Sequence, residues 1–361
     1  MAIYSKVYLP DKIKYKRYID KIYKTSWITT NGKFKNNLER RLEKFLKVKN
    51  VVLVSNGTIA LQILYKALSL KGNVITTPFS YVATSNSLIW EGLKPNFIDI
   101  DKDTFNIDAT NISSNINKST SAILPVHVFG NPCDIDEINK IAKKNKLKVI
   151  YDASHCFNIN YKGKSILSYG DASIMSLHAT KIFHTIEGGA IITNNNNLAK
   201  KVRMISNFGK NHNDQYEILG INAKMNEFEA AMGLCNLQEF SKIKKFRKKI
   251  WNFYHTKLKN FFDFQKFSNL SVPNYSYFPI IFKNEKSLLK TVKLLNKNKI
   301  YVRRYFYPSL DRISFTKQNG NCKVSNNIAK KIICLPISQS LNKNELSRII
   351  RILINSTQSK T

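Results

Sequence analysis

Acidic residues are scarce in this chain: 24 Asp and Glu stand against 58 Lys and Arg, a formal net charge of +34. Cysteine is scarce too. The five present (Cys133, Cys156, Cys235, Cys322, Cys334) are scattered, with no C-x-x-C pair. That spacing argues against a metal knuckle or a disulfide frame and fits a reducing compartment. No apolar run reaches the roughly 18 residues that a membrane span needs, so no membrane insertion is expected. Residues 1–10 mix Lys, Tyr and Ser without the apolar core of a leader, and a cytoplasmic protein is expected. No tandem repeat is visible, and the only low-complexity patch, Asn194 to Asn197, follows a strand-like run and reads as a turn.

Surplus positive charge can advertise nucleic acid, a membrane surface or an anionic substrate. A nucleic-acid binder gathers its charge on one face or in one arm; here the lysines run along the whole chain beside many asparagines, as a compositional bias would place them. The densest run, Lys242 to Lys249, carries Ile243, Phe246, Ile250 and Phe253 at helical spacing and reads as an amphipathic helix with a solvated basic face. No nucleic-acid partner is expected. A basic nucleic-acid-binding or regulatory protein stays as the rival from another class, and it predicts tight, steeply salt-dependent DNA binding.

What is present is an alternation. At 361 residues, 43% of them hydrophobic, the chain has room for about two domains. Strand-like runs at 50–54, 74–77, 94–100, 121–126 and 148–151 alternate with helical stretches at 58–70 and 136–146, and Gly72 stands as a stop after the first helix. Such alternation implies an α/β fold with a mostly parallel sheet covered on both faces. Its strand C-termini share one edge, where ligands bind. A long helix is expected from Asn226 to about Lys259. After it come strands at 277–282, 300–304 and 332–335 and helices at 287–297 and 343–354, a smaller α/β unit. The expected division is a large domain over 1–250 and a small C-terminal domain over 251–361.

Three places carry chemistry. Ser55-Asn-Gly-Thr58 follows a strand and opens a helix, so its backbone N–H groups and the positive dipole end suit a phosphate, although Ser and Thr there are also ordinary N-caps. Asp152 follows the apolar strand 148–151 and points into the ligand crevice; loop cap and metal ligand are its other readings, and no paired His or second carboxylate supports a metal. Lys181 lies between a strand end and a Glu-Gly-Gly turn, with Ser176 five residues earlier. A lysine becomes a Schiff-base nucleophile when an enclosed site lowers its pKa.

The ordered set Ser55–Thr58, Thr77–Thr84, Asp99–Asp101, Val126–Gly130, Tyr151–His155, Ser176–Gly189 and Gly220–Met225 resembles the DegT-type sugar aminotransferases, which are fold-type-I enzymes dependent on pyridoxal 5'-phosphate (PLP). The order and spacing match over roughly residues 20–240; the tail, with 300–308 and Leu335-Pro336, resembles the family's small domain more loosely. The resemblance implies that Lys181 joins the cofactor covalently and moves a proton, while Asp152 pairs with the pyridine nitrogen. Tyr81 would stack on the ring, or else pack in the core. Gly57, Thr58 and Ser176 would hold the phosphate, and His155 would sit near the ring's phenolic oxygen. Asn222 would reach the phosphate from the neighbouring subunit of a homodimer. His178 either supports the site or packs beside Lys181; His127 and His184 are expected to be structural, and Glu187 to shape its turn or else touch substrate. Ser154 and Lys224 depart from the family pattern, the latter where an arginine's planar fork is usual.

By the same resemblance the expected reaction passes an amino group from L-glutamate to a nucleotide-linked keto-6-deoxy sugar. The phrase 181–189 is like members that aminate C4, which points to dTDP-4-keto-6-deoxy-D-glucose becoming dTDP-4-amino-4,6-dideoxy-D-glucose for O-antigen or other surface glycans. A C3-aminating enzyme is the alternative within the family. PLP-dependent sugar dehydratases replace the lysine, typically with His, and rank lower because Lys181 is present. Arg303, Arg304 and Lys210 are candidates for the diphosphate, unranked.

Overall fold

The computed structural model describes residues 6–316 and 322–358. Residues 1–5, half of the segment expected to lack a leader core, lie outside the described residues.

Two helices not foreseen from the sequence lead the chain, α1 (Lys12–Thr25) and α2 (Lys33–Leu46). Charged residues dominate both, yet Leu38, Leu42 and Leu46 of α2 fall four apart and are buried on one face. The alternating section follows: β1 (Asn50–Val54), α3 (Gly57–Ala67), β2 (Asn73–Thr76), α4 (Ala83–Trp90), β3 (Lys94–Phe97), β4 (Thr120–Leu124), α5 (Ile135–Lys144) and β5 (Lys148–Asp152). A two-residue-per-strand hairpin, β6 (Asn160–Tyr161) and β7 (Lys164–Ser165), precedes β8 (Ala172–Ser176), β9 (Gly189–Thr193) and α6 (Asn196–Ile205).

Seven of these strands form one sheet in the order β1-β9-β8-β5-β4-β2-β3. The pairs β2–β3, β2–β4, β4–β5 and β5–β8 are parallel, and β9 is antiparallel to both β8 and β1. Six strands therefore run one way and β9 runs back, which puts the start of β9 on the same edge as the ends of β1, β5 and β8. Along β1, Val51 and Leu53 enter one hydrophobic cluster while Val52 and Val54 enter another, so both faces are covered. This is why the strands read as unbroken apolar runs rather than as alternating ones.

The long helix α7 (Glu227–Leu258) begins with a capping box in which Asn226 and Glu229 satisfy each other's backbone N–H. Beyond it lie β10 (Pro279–Ile281), α8 (Glu285–Lys297), α9 (Lys323–Lys331), β11 (Ile332–Cys334) and α10 (Lys343–Gln358), with β10 antiparallel to β11. Ile243 of α7 packs in the sheet's cluster, whereas Ile250, Tyr254 and Leu258 pack in a separate cluster with α8 and α10. On that change of core we propose the division between large and small domains within α7, near residue 250.

Several boundaries differ from expectation. Helix α3 stops at Ala67, before Ser69 turns left-handed (φ 54°). The run 94–100 is strand only to Phe97. Residues 300–304 form no strand; Arg303 makes a single bridge to Cys334, on the edge of β11 away from β10. Asn194–Asn197 is only half a turn, since the Asn195 side chain caps the N-terminus of α6. The basic run on α7 is not wholly solvated either: Arg247 is buried, at 7% exposure.

A buried charge network ties α2 to the sheet. Glu39 takes Lys35 Nζ at 2.7 Å and Arg203 Nη1 at 2.7 Å, and also accepts the Leu53 N–H. Removing one member of such a network leaves the others uncompensated, at about 3–5 kcal/mol. Glu39→Gln should therefore lower the melting temperature markedly while Glu137→Gln, an exposed pair, changes it little. Calorimetric scans of the two variants check this.

Candidate active site

The strand ends meet at one cavity of about 340 Å³, lined by residues from β1–α3, the 80–84 segment, β5, β8 and the small domain. Asp152 is the last residue of β5 and 7% exposed. Burying a carboxylate requires partners, and here Thr84 Oγ1 donates to Oδ2 at 3.0 Å while the Ser154 N–H donates to Oδ1 at 3.1 Å. Thr84 is itself held by Ser80 at 2.7 Å. The carboxylate is thus fixed from two sides and faces the cavity.

Lys181 leaves the end of β8 through the 177–180 turn, whose Lys181 N–H bonds the His178 carbonyl at 2.9 Å. Its amine is enclosed, and burial lowers its pKa from 10.5 to about 8, against the attraction of Asp152, Tyr81 and Cys156. Nζ donates to the Tyr277 hydroxyl at 3.3 Å. Lys181 and Asp152 line the same cavity.

At another wall of the cavity are Asn56, Gly57, Thr58 and Ser176. Asn56 caps α3, accepting the Ile59 N–H at 2.9 Å. Two glycines make room. A Cβ on Gly57 would stand 3.2 Å from Ser176 Cβ, and one on Gly189 would stand 2.3 Å from the Asn56 carbonyl oxygen. The first turn of α3 therefore approaches β8 and β9 as backbone alone, which leaves its amides and dipole open to a small anionic group.

Aromatic groups line the remainder. Tyr81 lies in the wall and is 61% exposed. His155 is buried, accepts the Phe129 N–H on Nδ1 at 3.1 Å and packs on the Tyr277 ring with centroids 4.5 Å apart. Its pKa falls well below the usual 6.5 through burial and then the nearby Lys181 charge, so the ring is neutral. His178 and Glu187 both line the cavity. The Thr180 N–H donates to His178 Nδ1 at 3.2 Å, which leaves Nε2 to face Glu187 Oε1 at 3.3 Å. Glu187, expected to shape its turn or touch substrate, lines the cavity.

Asn222 does not line this cavity. It is exposed, and Lys224 Nζ holds its Oδ1 at 2.7 Å. His127 and His184 are buried in the core, the first stacked on Tyr151 and the second bonded to the Tyr8 carbonyl at 2.7 Å. Arg304 is tied to Glu285 at 2.9 Å and lies over Tyr307, and Lys210 is tied to Asp214 at 2.8 Å, whereas Arg303 lines the cavity. Sequence reasoning missed Thr84, Tyr277 and Tyr305 as wall residues. Thr84 stood in a quoted motif, but nothing local links it to Asp152, 68 positions away.

The donor set suits PLP. An enclosed amine of lowered pKa matches its aldehyde, a fixed carboxylate its ring nitrogen, and a backbone cradle at a helix start its phosphate. Among the described residues no group of three or more His, Cys, Asp or Glu is placed to hold a metal ion, and no helix is long and apolar enough to cross a membrane.

Comparisons with known proteins agree with this chemistry. The model of the DegT/DnrJ/EryC1/StrS aminotransferase family matches residues 11–354. A dTDP-4-amino-4,6-dideoxy-D-glucose transaminase of Shigella dysenteriae is 40% identical over 349 residues, covering 95% of this chain and 95% of that protein. A GDP-perosamine synthase of Caulobacter vibrioides is 34% identical over 245 residues, covering 67% and 66%. Among solved structures, that of DesI in the presence of its TDP-sugar product superposes with a TM-score of 0.92 at 26% identity, covering 99% of this chain and 94% of that one.

The lowered pKa makes a testable difference. Below about 8 the Lys181 amine is protonated; above it the amine is neutral and nucleophilic. The unfolded chain keeps that proton up to about 10.5, so the destabilising effect of burying the group is complete below 8 and fades as pH rises through 10.5. In cofactor-free protein, acylation of Lys181 followed by peptide mapping should show a midpoint near 8, with exposed lysines reacting above 10.

Proposed function

The chain belongs to the DegT/DnrJ/EryC1/StrS aminotransferase family and is a PLP-dependent sugar aminotransferase, and we propose that it aminates C4 of dTDP-4-keto-6-deoxy-D-glucose with L-glutamate as donor. The product would be dTDP-4-amino-4,6-dideoxy-D-glucose, for surface-glycan assembly. The observation that carries this reading is the 40% identity, over nearly all of both chains, to a transaminase named for that product, joined to a cavity that holds Lys181 and Asp152 together.

When bound, PLP supplies an electron sink that lets the donor's Cα–H bond break. The protein's own part is binding and proton traffic. The first turn of α3 with Gly57, Thr58 and Ser176 holds the phosphate. Asp152, kept in place by Thr84 and the Ser154 N–H, holds positive charge at the ring nitrogen. Tyr81 would cover one face of the ring, and neutral His155 would stand at the phenolic oxygen. Lys181 Nζ would move a proton from the donor's Cα to the bound cofactor in the first half-reaction and one from the cofactor to the sugar carbon in the second, with the Tyr277 hydroxyl, 3.3 Å away, orienting the amine.

A second copy of the chain completes the site in this reading. Asn222 sits outside its own chain's cavity, on a segment with exposed apolar residues Phe208, Tyr216, Leu219 and Ile221. A homodimer would cover these and bring Asn222 to the partner's phosphate cradle.

Incubation with L-glutamate and dTDP-, UDP- and GDP-linked keto-sugars, with the amination position read by NMR, should give C4 amination fastest on the dTDP sugar. Preference for a GDP sugar or amination at C3 would overturn the substrate assignment. Mixed oligomers of Lys181→Ala and Asn222→Ala chains should regain about a quarter of the wild-type rate at equal mixing if each site draws on two chains. Absence of any recovery would place Asn222 outside the site.

A further inference from the structure

Arg247 lies on α7 between the two hydrophobic clusters, 7% exposed. Its Nη1 donates to the Ser276 carbonyl at 3.1 Å, and its buried Nε has no hydrogen-bond partner. Among the described residues no carboxylate stands within ion-pair range of it. Among the described residues the other buried lysine or arginine, Lys35, is paired with Glu39. A buried guanidinium with one neutral partner is costly, because its lost hydration is not replaced. Burial accordingly lowers its pKa to about 10.

The charge faces a small cavity. Arg247 lines it together with Thr180, Tyr277, Arg303 and Tyr305, and those four also line the main cavity beside Lys181. The two spaces are thus neighbours, joined at Tyr277, whose hydroxyl bonds the Lys181 amine. The small cavity measures about 50 Å³ against 340 Å³ for the main one. That admits a group of a few atoms and excludes a nucleotide.

We propose that Arg247 forms a carboxylate-binding subsite for the amino donor, an α-amino acid that places its carboxylate on the guanidinium and its amine at Lys181. The proposal rests on the aminotransferase reading. Its chemistry follows from what each reactant carries. The donor must present Cα to Lys181, so its carboxylate lies within a few ångströms of that amine. The sugar substrate is anionic only at its diphosphate, remote from the reacting ketone. A planar guanidinium with an open donor edge matches a carboxylate in two-point contact. The site is occupied by an anion only while the donor is bound, so the sugar half-reaction finds the cation empty of its partner. Arg303, which is exposed and lines both cavities, suits the diphosphate.

The test separates the two half-reactions of the holoenzyme, each followed by the change in cofactor absorbance. Arg247→Gln should weaken apparent L-glutamate affinity roughly ten- to hundredfold. The affinity of the amino form of the enzyme for the keto-sugar should stay within about twofold, and Arg247→Lys should fall between the two on the glutamate arm. Unchanged glutamate affinity, or equal losses on both arms, overturns the subsite. Should Arg247→Gln fail to fold, a crystal structure of the wild-type holoenzyme with 2-oxoglutarate decides: a carboxylate within hydrogen-bond reach of Arg247 supports the proposal, and a ligand bound elsewhere overturns it. Loss of the aminotransferase reading looks different, since glutamate would then fail to convert the wild-type cofactor at all.

Discussion

The site depends on a balance at one amine. Burial drives Lys181 toward its neutral form, while the carboxylate of Asp152 in the same cavity pulls it toward the charged one. Desolvation wins by enough to bring the pKa to about 8, where the amine is a competent nucleophile and base near neutral pH. The rest of the fold serves that balance. Six strands running one way deliver Asp152 and Ser176 to the same edge, and the reversed β9 begins there so that Gly189 passes close under Asn56. Thr84 and the Ser154 N–H keep the carboxylate hydrogen-bonded, so it stays where its charge is needed.

The small domain contributes more than a lid of apolar residues. Tyr277 reaches the amine, Arg303 and Tyr305 line the cavity wall, and α7 carries Arg247 through the junction of the two cores. The reaction needs two different reactants at one amine in turn. A compact cation for the donor's carboxylate, set apart from the larger space for the sugar nucleotide, is a physical way of seating each without a shared anchor.

Much of this was legible in the sequence because the informative signals are local. Buried strands announce themselves as apolar runs, and Asp152 and Lys181 sit at strand ends where a parallel sheet places its ligands. The long helix α7 carries its own cap at Asn226. What escaped reading depends on partners distant in the chain. Arg247 sits among solvated lysines and differs from them only in the face it presents. Tyr277 meets an amine 96 residues away. Helix α6 was hidden by the asparagines before it, although Leu198, Ala199 and Val202 bury one face. Glu187 gave no sign of its partner His178, which comes from across the loop. The excess positive charge, conspicuous in composition, is mostly spread over the surface, and among the described lysines and arginines only Lys35 and Arg247 are buried.

The central claim is that one amine among many lysines carries the cofactor. Borohydride reduction of the PLP-loaded protein, followed by proteolysis and mass mapping, tests it directly. The account predicts a single pyridoxyl-bearing peptide that contains Lys181, and no adduct in Lys181→Ala. A label on another lysine, or a reducible adduct that survives in Lys181→Ala, would contradict it.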